Sequence, residues 1–471
     1  MAQKNETTVL VLSLLVTAAL LGLGFWWFTS RSGVNLGGLV SPKNGQSDST
    51  GFGGLQERLS LGEKILIAAD TNSSKQAGVT AFAKKDFQTA KTQFQASLQQ
   101  NRNDPETLIY SNNASVANSN PAKIAVSVPI GSNLGIAKEI LRGVAQAQDE
   151  VNKSGGINGK LLQVEIANDE NDSELAKQIA AKFVKDASLL AVVGHNASTA
   201  SVAAAPVYQQ GRLVMISPTS FANQLSGIGS YVFRTITNIR FVATPLSTYT
   251  VKTAQKSNVA ICFDSKAPDS VAFKDEFILA LRAENGKSVN INCDFSSDKF
   301  DPKAAISQAI SSGADSLLLA PNVDRINQAI DVARANKGVL ALLGSPTLYT
   351  FKTLESGRRD VNDMVMAATW HPKAIPGNPF AEKAVKLWGG EVNWRSATAY
   401  DATTAILTGL KQNNTREGLQ QVLSSPGFSA NGATGSVQFL PTGDRDGTAI
   451  LVQVKPGQGT KTGFDFVPLK P

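Results

Sequence analysis

Residues 8–28, TVLVLSLLVTAALLGLGFWWF, carry no charge, and at about 1.5 Å per residue such a helix spans roughly the 30 Å of a bilayer core. The run ends in Phe25, Trp26, Trp27 and Phe28, an aromatic group suited to the membrane interface, where a signal peptide would carry a small-residue cleavage site. No cysteine follows to accept a lipid. The expectation is an uncleaved transmembrane anchor within residues 1–30. Lys4 on one side and Arg31 and Lys43 on the other nearly balance, so charge does not set its orientation. Residues 31–54, rich in Gly, Ser and Asn without an apolar period, read as a flexible linker.

Within residues 55–118, Phe82, Phe87, Ala90, Phe94 and Leu98 recur at helical spacing, and Asn103-Asp104-Pro105 ends the run. This pattern predicts a short helical hairpin. With Gly78, Ala90, Phe94 and Pro105 near its motif positions, it resembles a single tetratricopeptide repeat without a second full copy. One repeat cannot bury its own face, so it must pack on the next domain, on a partner or on another copy.

After Asn120 apolar strands alternate with amphipathic helices. Strands are predicted at 123–128, 162–166, 189–193, 213–217, 257–263, 289–293, 316–319 and 339–343, and helices at 136–152, 173–185, 273–285, 302–312 and 323–336. That rhythm implies parallel sheets covered by helices on both faces, and so many units require two doubly wound lobes. The last 45 residues read as short strands and turns, such as 435–439 and 448–454.

Composition narrows the chemistry. With 42% hydrophobic and 18% charged residues over 471 positions, the chain is not wholly disordered. Two histidines, His195 and His371, and two cysteines, Cys262 and Cys293, are too few for a zinc ribbon or an iron-sulfur cluster. The net charge of +7 comes with no run of basic residues interleaved with aromatics, so no nucleic-acid partner is expected. The loop after the first strand, Pro129 to Gly135, lacks the dinucleotide-binding glycine spacing, and Gly155-Gly156-Ile157-Asn158-Gly159-Lys160 lacks that of a phosphate loop. No nucleophile elbow accompanies either histidine. Neither an enzyme, a metal site nor a cofactor is expected. Asp169, Glu170 and Asp172 read as a solvated turn and helix start, and Cys262 and Cys293, in successive strands, read as buried thiols because a bridge between neighbouring parallel strands is awkward.

Binding chemistry is better supplied. In open parallel sheets a ligand sits at the carboxyl ends of the strands, where helix N-H groups favour an anion. Two such ends carry hydroxyl clusters: Gly194-His195-Asn196-Ala197-Ser198-Thr199-Ala200-Ser201 and Ser217-Pro218-Thr219-Ser220-Phe221. Any one of these hydroxyls is explained by helix capping; their recurrence at successive strand ends points to a site for a carboxylate.

The segment IAVSVPIGSNLGIAKEILRGVAQAQDEVNKSGGINGKLLQVEIANDEND, followed by LLAVVGHNASTASVAAAPVYQQGRLVMISPTS, resembles the opening lobe of the periplasmic branched-chain amino-acid binding proteins, the type I solute-binding proteins of bacterial importers. The resemblance runs from Pro121 to the carboxyl terminus. It implies an α/β fold of two doubly wound lobes closing on a ligand, lobe 1 at about 121–238 and 346–425 and lobe 2 at about 239–345 and 426–471. Ser198 matches the serine that contacts the ligand carboxylate, and Thr219 a position whose backbone meets the ligand. Where the family carries a head-group threonine this chain has Phe221, with Thr219 or Ser220 left to compensate. Asp269 stands where the family often places an aromatic contact, and Asp324 matches the acidic residue that pairs with the ligand ammonium. Thr199 and Asn133 complete the candidate ligand-binding set. The expectation is a membrane-anchored receptor outside the cytosol that delivers a small polar ligand, an amino acid or similar zwitterion, to an ABC permease. The alternative is a sensor or scaffold recruiting a protein partner through the helical hairpin.

Overall fold

The computed structural model describes residues 52–458 and 460–469. The anchor expected at 8–28 and most of the linker lie outside them, and among the described residues no helix is long and apolar enough to cross a membrane.

Helix α1 (Phe52–Gln56) leads into a two-residue strand, β1 (Leu59–Ser60). Three helices follow: α2 (Ser73–Ala83), α3 (Phe87–Gln100) and α4 (Pro105–Val116). Each begins at a side chain that accepts a first-turn amide, Asn72, Asp86 and Asp104 respectively. Pro105, expected to end the helical run, occupies the first turn of α4, where its missing N-H has no intrahelical partner to lose. Gly78 lets α2 and α3 approach closely, since a Cβ there would lie 2.6 Å from the Phe94 ring.

The first sheet is built from β2 (Ala122–Val128), β3 (Leu162–Asn168), β4 (Leu189–Val193), β5 (Val214–Ser217) and β6 (Val232–Arg234), connected by α5 (Leu134–Lys153), α6 (Ser173–Lys185) and α7 (Ser198–Gln210). Its order is β1-β3-β2-β4-β5-β6, parallel except for β1, which pairs antiparallel with β3. Strand β2 is buried nearly throughout, as expected for a strand covered on both faces. The amino-terminal helices are joined to this lobe: α4 packs on α5 and β3, and buried Asn113 donates to the Leu61 and Val164 carbonyls while accepting from the Val164 amide.

The second sheet is built from β7 (Asn258–Phe263), β8 (Lys287–Val289), β9 (Ser316–Ala320), β10 (Ala341–Gly344) and β11 (Val365–Ala368), with α8 (Ile239–Thr248), α9 (Pro268–Ala283), α10 (Pro302–Ser311), α11 (Ile326–Asn336) and α12 (Phe351–Gly357). Residues 365–368, given to the first lobe by the sequence reading, pair with β10 here. Cys262 and Cys293 form a disulfide with a Cα separation of 4.7 Å, correcting the expectation of two thiols. The strand predicted at 289–293 ends at Val289, and the irregular segment after it continues alongside β7 to Phe263, whose N-H donates to the Cys293 carbonyl at 3.1 Å. The two cysteines therefore do not sit in regular neighbouring strands.

The chain then returns to the first lobe through α13 (Phe380–Trp388), α14 (Trp394–Gln412) and α15 (Arg416–Leu423), forms a hairpin of β12 (Ala430–Gly432) and β13 (Gly435–Val437), and ends in β14 (Ile450–Pro456) and β15 (Phe464–Pro468). The last two strands extend the second sheet, in the order β15-β14-β11-β10-β9-β7-β8, and both pair antiparallel. Both sheets are thus mixed, where strict alternation predicted parallel ones. Helix α14 lies against α5 at very close range: a Cβ on Gly143 would fall 2.2 Å from the Ser396 carbonyl oxygen.

The polypeptide crosses between the lobes at residues 235–238, 369–379 and 438–449. Buried polar contacts brace these passages. Arg234 Nε donates to Asp444 Oδ1 at 2.5 Å, Thr235 Oγ1 to the Thr398 carbonyl at 2.8 Å, and Arg445 lies 3.8 Å from Asp401.

Candidate functional site

In each lobe the strand order reverses around the first strand, β2 in one sheet and β7 in the other. Such a switch point opens a crevice at the carboxyl ends of the strands. Both crevices contribute to one cavity of about 120 Å³. From the first lobe come Asn171 after β3, Asn196, Ala197, Ser198 and Thr199 after β4, and Thr219 and Phe221 after β5; from the second come Pro268 and Asp269 after β7, Asn322 and Val323 after β9, and Thr347 after β10. Ile136 and the start of α14, Trp394 and Arg395, complete the wall. A larger groove of about 920 Å³ lies at the amino ends of β9 and β10, beside Ser316 and Ala341, and is walled by the second lobe and its neighbouring turns alone.

On the first-lobe wall, α7 begins at Ala197 with no side chain capping its first turn. The amino end of a thirteen-residue helix thus faces the cavity with its partial positive charge unanswered. Thr219 Oγ1 donates to the Asn196 carbonyl at 2.9 Å, Ser220 Oγ to Ser198 Oγ at 3.2 Å, and Asn196 Nδ2 to Asn171 Oδ1 at 3.1 Å. These bonds fix the hydroxyl clusters of two successive strand ends against each other.

Behind that wall His195 is fully buried, its Nδ1 2.6 Å from Asp169 Oδ2 and its Nε2 3.1 Å from the Tyr208 hydroxyl. Asp169, expected in a solvated turn, is fully buried. Burial opposes its charge, but contacts from His195, the Asn171 amide and the Ser127 hydroxyl outweigh it and hold the carboxyl below its ordinary range. Asp172 does cap α6, accepting from the Leu175 amide at 2.7 Å. Residue spacing does not reveal the burial of Asp169, because an Asp-Glu-Asn-Asp run looks like a turn until the end of β4, two strands over in the sheet, places a histidine against it.

On the second-lobe wall Asp269 accepts from Asn322 Nδ2 at 3.2 Å. Burial raises its pKa, with the Asn322 bond opposing. Asp324, expected to face the ligand ammonium, is exposed in the turn Val323–Arg325 and does not line the cavity. The short 3-10 turn after β9 aims Val323 inward and Asp324 outward, a local geometry that residue spacing does not reveal. Of the remaining candidates, Ser198, Thr199, Thr219, Phe221 and Asp269 line the cavity. Ser220 stands one layer behind, and Asn133 caps α5, accepting from the Ile136 amide at 3.3 Å. Phe221 packs its ring 6.2 Å from that of Trp394, giving this part of the wall apolar surface. Arg395, which no motif singled out, is 7% exposed; burial brings its pKa down to about 10 against the opposing effect of Glu139. Among the described residues no cluster of three or more His, Cys, Asp or Glu side chains could hold a metal ion.

Comparison with known proteins places these features in context. Residues 121–461 match the family model described as periplasmic binding protein. Over 116 residues, 24% of this chain, the sequence is 33% identical to the leucine-, isoleucine-, valine-, threonine- and alanine-binding protein of Pseudomonas aeruginosa, and over 155 residues, 32% of this chain, 28% identical to a Leu/Ile/Val-binding protein homolog of Brucella abortus. These stretches span only 31% and 41% of the relatives' own lengths. Among solved structures, a leucine binding protein from Thermotoga maritima superposes with a TM-score of 0.64 at 21% identity, over 74% of this chain and 99% of the other. An ABC transporter substrate-binding protein from Desulfitobacterium hafniense in complex with Leu superposes with a TM-score of 0.63 at 21% identity, over 74% of this chain and all of the other.

Proposed function

Because this chain belongs to the periplasmic binding protein family, we propose that it captures a small amino acid or similar zwitterion between its two lobes and presents it, unaltered, to an ABC permease. Members of that family work outside the cytosol, and the Cys262–Cys293 disulfide suits an oxidising compartment. Residues 8–28 would tether the receptor to the membrane beside its transporter.

One observation carries the reading: a cavity walled by both lobes sets half-buried Asp269 on one side and the uncapped end of α7, with Ser198, Thr199 and Thr219, on the other. A ligand carboxylate at α7 gains amide and hydroxyl donors without a full counter-charge. A ligand ammonium at Asp269 gives that half-buried carboxylate a cation beside its Asn322 hydrogen bond. Since one charge sits on each lobe, a zwitterion bridges them and favours the closed state by as much as it binds closed more tightly than open. Neither histidine lines the cavity, and the carboxylate that does, Asp269, is the group this reading gives to the ligand ammonium. Phe82 and Phe94, the apolar residues of the amino-terminal helices, are already buried, which leaves less surface there for recruiting a partner and favours the importer over a scaffold.

The test is thermal unfolding of the full-length protein against a panel of amino acids. A true ligand at 100 times its Kd stabilises by about 2.7 kcal/mol; no stabilisation by any amino acid at millimolar concentration would overturn the proposal.

A further inference from the structure

The zwitterion reading leaves one charge in the cleft unused, and the inference drawn from it rests on that reading. We infer that Arg395 reads a second acidic group on the ligand, so that the cleft prefers an amino dicarboxylate, of the aspartate or glutamate type, to a branched apolar amino acid. Arg395 lines the cavity from the first turn of α14 and is 7% exposed. Its Nε is buried with no hydrogen-bond partner, and among the described residues its guanidinium enters no ion pair. Its carbon centre lies 4.3 Å from the centroid of the Trp394 ring, a stacking that orients the planar group. Trp394 is in turn held against Phe221, so the apolar pair also forms the shelf for the arginine.

The nearest opposing charge does not satisfy it. Glu139 accepts from Arg142 Nη1 at 2.6 Å, from the Ser396 hydroxyl at 2.5 Å and from the Asn393 amide at 3.2 Å, and makes no ion pair with Arg395. The charges in the cleft can then be assigned. The uncapped end of α7 with its hydroxyls takes an α-carboxylate, and Asp269 takes the ammonium; a neutral amino acid is then fully accommodated while Arg395 stays buried and unanswered. A buried guanidinium without an acceptor is costly, and a second carboxylate is the planar, two-oxygen acceptor that its fork fits. A leucine-like side chain at the same place would exclude water from the arginine and offer it nothing, which is how a site rejects the wrong ligand.

Calorimetric titration of the full-length protein with aspartate, glutamate, alanine and leucine tests this, using wild type, Arg395→Gln and Arg395→Lys. Wild type should bind aspartate or glutamate about 100-fold more tightly than leucine, and R395Q should lose about 100-fold toward the acidic ligand, far more than toward alanine. R395K, which keeps the charge without the fork, should recover part of that loss. If leucine or alanine binds wild type as tightly as the acidic amino acids, or if R395Q binds aspartate as wild type does, the role of Arg395 is wrong while the receptor reading stands. If no amino acid binds wild type at all, the receptor reading fails and this inference with it. Because the ligand preference is read first on wild type, the proposal is testable even if a variant does not fold.

Discussion

Replacing Lys75 with Met should cost the protein about 3 to 5 kcal/mol of stability, the range found when one member of a buried ion pair is removed. Lys75 is fully buried and its Nζ lies 2.8 Å from Asp104 and 2.7 Å from Glu106, both carboxylates at most 1% exposed. Burial disfavours the ammonium, but the two carboxylates outweigh it and hold the lysine above its ordinary pKa. After substitution Asp104 keeps the Thr107 amide and hydroxyl, at 3.0 and 2.6 Å, and Glu106 keeps the Leu66 amide at 2.7 Å and the Tyr110 hydroxyl at 2.9 Å. The bond that Lys75 Nζ donates to Asp104 is lost, while these others survive, so most of the loss comes from two buried carboxylates left without a cation. The sign with pH follows from the raised lysine pKa: the stabilisation is fully present below the value of an unfolded lysine and fades only as pH rises through the folded one. The deficit of K75M is read by urea unfolding at pH 7. Adding Asp104→Asn and Glu106→Gln to K75M removes the stranded charges and should recover most of it. A K75M protein within 1 kcal/mol of wild type, or a triple variant no more stable than K75M, would refute the argument.

Three further outcomes are expected. Asp269→Asn should stabilise the ligand-free protein and weaken amino-acid binding by about tenfold or more. Because burial raises the folded pKa of Asp269, wild-type stability falls as pH rises from the unfolded carboxylate value through the folded one, and D269N should lack that fall; identical pH profiles would contradict it. Replacing Cys262 and Cys293 by Ser opens a loop with a sequence separation of 31 and should cost about 3 to 4 kcal/mol by the chain-entropy relation, checked by urea unfolding of the variant beside oxidised wild type. Gly143→Ala should destabilise by at least about 1 to 3 kcal/mol, since its Cβ would meet backbone atoms of Ser396 and Tyr400 at 2.2 and 2.7 Å; a near-neutral result in thermal unfolding would show that α5 and α14 separate easily.

The sequence by itself determined the alternation of strands and helices, the two lobes and the strand ends that carry hydroxyls, because burial on both faces of a parallel sheet writes itself as short apolar runs and a helix as a 3.6-residue stripe. Ser198, Thr199, Thr219, Phe221 and Asp269, singled out at strand ends and helix starts, line one cavity. Tertiary structure alone decided which neighbours those positions acquire. Asp324 and Val323 are adjacent in sequence, and only the turn after β9 chooses which points inward. Cys262 and Cys293 pair because the irregular segment after β8 stays beside β7, and Asp169 is buried because His195 arrives from the end of β4, across β2. Arg395 had no signature at all: it lies on a helix that returns to the first lobe some 200 residues after the strands it faces, and a charge becomes a binding group only when distant chain segments remove its water.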